Sequence, residues 1–84
     1  MMNGNMASKA SKQYRLARQL LKISPYDLAE RAGLDVVVVF QIENPHTLVK
    51  INPICIRRIQ HVLCRAGIHF VGTQGVKLLH QPKL

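Results

Sequence analysis

Eighty-four residues make room for one domain, and a chain this short buries only about 60% of its unfolded surface, which argues against a deep catalytic cleft. Twelve Lys and Arg against four Asp and Glu leave a formal net charge of +8, which favours an anionic partner: nucleic acid, an anionic membrane surface or an acidic protein. An apolar fraction of 48% supplies a packed core, while no stretch approaches the ~18 apolar residues of a membrane span.

Residues 1–11 (MMNGNMASKAS) show no hydrophobic period and no apolar signal-peptide core. They read as a flexible arm, and the expected location is cytoplasmic, with reduced thiols. From Lys12 the period becomes helical, with Tyr14, Ala17, Leu20 and Leu21 on one stripe and Arg15, Arg18 and Lys22 around it. Ser24-Pro25-Tyr26-Asp27 is a helix start: a hydroxyl cap, a proline at the first helical position and an acid that closes a capping box. That helix carries Leu28, Ala29 and Ala32 inward and stops at Gly33.

Asp35 to Asn44 supports two readings. Val36-Val37-Val38-Val39-Phe40 has the propensity of a buried strand. Asp35 is equally an N-cap, with Leu34, Val39 and Ile42 on one side of a helix. Asn44 to Asn52, interrupted by Pro45, reads as a loop, and Asn52-Pro53 opens a further helix through Ile56, Ile59, Val62, Leu63 and Ala66 to Gly67. Residues 68–71 and 76–79 alternate as two short strands around Gly72-Thr73-Gln74-Gly75. The organisation expected is an arm over 1–11, one domain over 12–79 and a loose tail over 80–84.

The middle of the chain resembles the phage-repressor/Cro-type helix-turn-helix regulators over roughly residues 13–71. The likeness rests on Arg15-x-x-Arg18, on Ser24-x-x-x-Leu28-Ala29-x-x-Ala32-Gly33-Leu34, on Val39-x-x-Ile42-Glu43-Asn44, and on a closing Arg65-Ala66-Gly67-Ile68-His69-Phe70. It implies an all-α, lambda-repressor-like domain of four to five helices with a short C-terminal β-hairpin, and it makes Asp35 to Glu43 a helix. It further implies an ion pair between Arg18 and Glu43.

In such a fold the first helix of the motif crosses the DNA backbone and the second lies in the major groove. The reading residues would be Val36, Val37, Val38, Phe40 and Gln41, with Asn44, Lys50, Arg57 and the lysines Lys9 and Lys12 on phosphates. The chain departs from its resemblance here, because the outward positions of such helices usually carry hydrogen-bonding side chains, and only Gln41 does so. The first reading is a transcriptional regulator bound to an operator in double-stranded DNA, with homodimerisation matching two half-sites. The alternative is an antiactivator-like module whose apolar third helix docks onto a partner protein. A third reading has the valines covered by the arm or by a second protomer.

Other constellations carry less. His61 and Cys64 share a helix face, but Cys55 points elsewhere and no C-x-x-C pair is present, so no metal or other cofactor is expected. Cys55 and Cys64, nine apart on one helix, stand roughly 13 Å apart on opposite sides, which precludes a disulfide. Neither cysteine is framed by a base and an oxyanion pocket, so no enzyme is expected.

Overall fold

The computed structural model describes residues 10–47 and 50–79. Four helices precede a two-stranded antiparallel hairpin: α1 (Ser11–Leu20), α2 (Pro25–Ala32), α3 (Val36–Glu43), α4 (Pro53–Arg65), β1 (Ile68–Val71) and β2 (Gly75–Leu78). The chain is mostly helical, with the hairpin at its C-terminal end. Ser11 already belongs to α1, so the folded part begins one residue before the boundary read from the hydrophobic period. The rest of the arm, save Ala10, and the tail from His80 lie outside the described residues.

Local chemistry sets most helix ends. Gln13 reaches back from the first turn of α1, its side-chain oxygen accepting from the Ala10 amide at 2.8 Å. Lys22 closes the same helix at φ 59. The Lys22 amide donates to the Gln19 carbonyl at 3.0 Å and the Ile23 amide to the Arg18 carbonyl at 3.3 Å. This is a left-handed closure that usually recruits glycine. Tyr14 and Ala17 are buried, whereas Leu20, expected inward, is exposed. At 100° per residue Leu20 lies roughly 90° off the line of Tyr14, Ala17 and Leu21.

At α2 the capping box is closed in both directions: Ser24 Oγ accepts from the Asp27 amide at 3.0 Å, and the Asp27 carboxylate accepts from the Ser24 amide at 3.3 Å. Gly33 ends the helix at φ 69, and the Leu34 amide returns to the Ala29 carbonyl at 2.9 Å. The valine run is helical. Asp35 caps it by accepting from the Val37 amide at 2.9 Å, and the burial of Val39 and Ile42 decides against a strand. Tertiary packing outweighs β-propensity here, which is worth at most ~1 kcal/mol per position. Asn52 caps α4 in the same manner at 2.8 Å.

The core lies where the four helices meet, built on Leu28, Val39, Ile59 and Leu63 with the small Ala17, Ala29 and Ala32 permitting close approach. The hairpin pairs Ile68 with Leu78 and Phe70 with Val76, and it packs against α1 and α4. Ile68 is buried, and the Phe70 ring meets Tyr14 edge-on at 5.6 Å. β2 starts at Gly75, one residue earlier than its alternation suggested, because Gly75 pairs with Val71 and leaves only three residues to turn. Gln13, fully buried, ties that turn down by donating to the carbonyls of Gly72 at 3.2 Å and Gly75 at 2.9 Å.

Candidate nucleic-acid interface

α2 and α3 are joined by Gly33, Leu34 and Asp35 alone, with the left-handed glycine setting their relative direction. Behind this pair, Arg18 Nε meets one oxygen of Glu43 at 2.7 Å and its terminal nitrogen meets the other at 3.0 Å. The same guanidinium donates to the Ile23 carbonyl at 3.1 Å, and Arg15 donates to the Glu43 carbonyl at 3.4 Å. One buried fork thus holds α1, the α1–α2 connection and the end of α3 in a single geometry. This two-point geometry suits the planar guanidinium and would not survive replacement by lysine.

The five α3 residues singled out in the sequence divide in the structure. Val36 and Val38 are half-buried and pack against the core, because they flank Val39 on the inward side. Val37 is 51% exposed, Phe40 is 45% exposed and Gln41 is half-buried. Sequence reasoning missed Tyr26. It is 64% exposed at the first turn of α2, and its ring meets Phe40 edge-on at 6.0 Å. Position 26 follows the capping proline, and its exposure was legible, but no local signal pairs it with a residue fourteen positions on. Tyr26, Val37 and Phe40 form an apolar face with one phenolic hydroxyl.

Asn44 follows α3 and builds a tight turn with Pro45. Its side-chain oxygen accepts from the His46 amide at 2.9 Å, its carbonyl accepts from the Thr47 amide at 3.2 Å, and its own amide donates to Gln41 at 3.3 Å. The backbone amides of Asn44, His46 and Thr47 are accordingly engaged within the turn, and Asn44 offers an outside ligand its side-chain NH₂. Lys50 is exposed beyond the turn, and Arg57 is exposed on α4. Lys9 lies outside the described residues.

The charge is unevenly laid out. All four acids fall between Asp27 and Glu43, a span whose one base is Arg31. Asp27 and Asp35 serve as caps, and Glu43 forms the only salt bridge among the described residues. Glu30, the fourth acid, is exposed on α2, and the described bases on α1, the α3–α4 connection, α4 and the hairpin therefore find little internal neutralisation. Among the described residues no group of three His, Cys, Asp or Glu could hold a metal ion, and no helix is long and apolar enough to cross a membrane. Both cysteines are free thiols.

No protein-family model matches the chain, and no curated protein or solved structure matches it at a significant level.

Proposed function

We propose that the chain is a DNA-binding regulator of transcription, of the phage-repressor/Cro helix-turn-helix type, with α3 entering the major groove. The supporting observation is the α2–Gly33–α3 unit, clamped from behind by Arg18 and Glu43, which leaves Val37 and Phe40 exposed and Gln41 half-buried beside them in a chain of net charge +8. A reading helix must be held rigidly from the side opposite its ligand, and the fork on Glu43 meets that requirement.

In this reading α2 crosses the phosphate backbone and α3 lies along base edges. Val37 and Phe40 contact thymine methyl groups, and Gln41 supplies the one bidentate amide, which fits adenine. Lys50, Arg57, Lys12 and the Asn44 side chain hold phosphates, which fixes register and supplies most of the affinity. A site read so largely through methyl groups selects A·T-rich half-sites, and a homodimer would read two of them. The reaction is binding alone; no enzyme chemistry, cofactor or metal enters it.

The experiment separates reading from holding. Gln41→Ala is expected to narrow the gap between operator and random duplex by ~1–3 kcal/mol, since one base contact is lost. Lys50→Ala is expected to weaken all sequences alike and to lower the salt slope by about one. Equal responses of both variants on all sequences would remove the role given to Gln41.

A second reading has its own observation, the exposed Tyr26–Phe40 pair beside Val37. Paired aromatics in a solvent-facing apolar patch favour protein contact, so the same face would seat a protein partner. Under that reading Gln41→Ala is silent, and Phe40→Asp abolishes partner capture.

A further inference from the structure

A concave surface lies between α2 and α4, with no α3 residue in its lining. It is an open groove of about 360 Å³ lined by Arg31, Ala32, Ile54, Arg57, Arg58, His61 and Val62. Positions 54, 57, 58, 61 and 62 follow the helical repeat and form one face of α4 roughly 12 Å long. Ala32, Ile54 and Val62 give the groove apolar surface, and Ile54, 56% exposed, is an aliphatic side chain that the core does not use. Arg31, Arg57 and Arg58 make the groove cationic. Arg58 donates to the Ala32 and Gly33 carbonyls at 3.5 Å, long contacts that leave the guanidinium's other donors free. The molecule's one salt bridge among the described residues lies elsewhere, between Arg18 and Glu43. Three arginines thus converge on one groove with no carboxylate among the described residues that line it, an arrangement of like charges that an anionic ligand relieves.

We infer that this groove binds a short acidic peptide segment of a partner protein, its apolar side chains seated on Ile54, Ala32 and Val62 and flanking carboxylates received by Arg31, Arg57 and Arg58. Charge complementarity selects the occupant. Guanidinium groups receive carboxylates in a fork geometry, and the exposed apolar surface beside them rewards a side chain that DNA phosphates lack. The groove is open along its length, which suits a chain segment better than an enclosed small molecule. The inference goes beyond the proposed reading of DNA by α3 and shares one residue with it, Arg57, which is why the variants that test it are Arg31 and Ile54.

The probe is a synthetic fluorescein-labelled peptide, Asp-Glu-Leu-Phe-Asp-Glu, titrated against the full chain, with its Asn/Gln counterpart as the neutral control. The expected result is saturable binding that weakens about tenfold or more with the neutral peptide, with Arg31→Glu and with Ile54→Ser. Lys77→Glu, which changes the net charge as much as Arg31→Glu but lies on the hairpin, is expected to leave affinity within about twofold. Amide shift mapping on the unmodified protein is expected to place the peptide on α2 and α4, independently of how any variant folds. The inference is overturned by any of three results: no binding up to about 1 mM peptide, equal losses from Arg31→Glu and Lys77→Glu, or shifts confined to other elements. Binding of a duplex oligonucleotide that Arg31→Glu and Ile54→Ser impair, without peptide binding, would assign the groove to phosphate instead.

Discussion

Glu43 carries the fold's main electrostatic commitment. Its side chain is 9% exposed and that of Arg18 is 14% exposed, so the pair is a buried one, for which removal of a single partner is costly while joint apolar replacement is not. Glu43→Ala is expected to destabilise by about 3–5 kcal/mol in urea denaturation, and Arg18→Met combined with Glu43→Leu is expected to recover most of that loss. Lys22 is the opposite case, a residue that the backbone tolerates at φ 59. Lys22→Gly is expected to raise stability by about 0.5–1 kcal/mol, since glycine adopts this conformation without a clash at Cβ; unchanged or lower stability would show that the Lys22 side chain contributes elsewhere. Burial raises the Tyr14 hydroxyl above its ordinary value of 10.0, the hydrogen bond from Gln60 lowers it in part, and nearby Cys64 raises it. The neutral phenol is thus favoured in the folded state. Its contribution is full below pH 10.0 and is lost as pH rises through the higher folded-state value. Unfolding titrations are expected to show a steeper alkaline loss for the unmodified protein than for Tyr14→Phe.

Elements were legible to different depths, and the reasons are physical. Both proline-led helix starts and the glycine stop of α2 are local signals, and Ser24, Asn52 and Gly33 act within a few residues of themselves. The valine run is ambiguous locally because its helical state is imposed from outside, by burial of Val39 and Ile42. Resemblance to a known motif pointed to the helix where propensity did not. The same limit hid which valines face outward: Val36 and Val38 differ from Val37 only by what packs on them. Gln13 was invisible as a structural residue, since a polar side chain in an amphipathic helix reads as solvent-facing. Its three hydrogen bonds, to residues 10, 72 and 75, join the first helix to the hairpin. Gln13→Ala would remove these three hydrogen bonds and empty the fully buried site of the Gln13 side chain. The expected cost is about 1–3 kcal/mol, with amide exchange accelerating first in β1 and β2. Uniform acceleration across all helices would contradict this local role.

At the scale of the whole molecule, a small clamped helical body carries two surfaces of opposite character. One is the face of Tyr26, Val37, Phe40 and Gln41, set in the part of the sequence that holds every acid; the other is the arginine-lined groove between α2 and α4. A DNA reader of this layout depends on bases outside the reading helix for its affinity, so its binding must be strongly salt-dependent while its specificity rests on few contacts. The most direct test is a mobility-shift titration of the full chain against the DNA upstream of its own gene, at low and at physiological salt, beside a random duplex of equal length. The account predicts sequence-specific binding tighter than ~10⁻⁷ M at physiological salt, falling steeply as salt rises. Weak binding that is equal for both duplexes would contradict it, and would leave the α3 face to a protein partner.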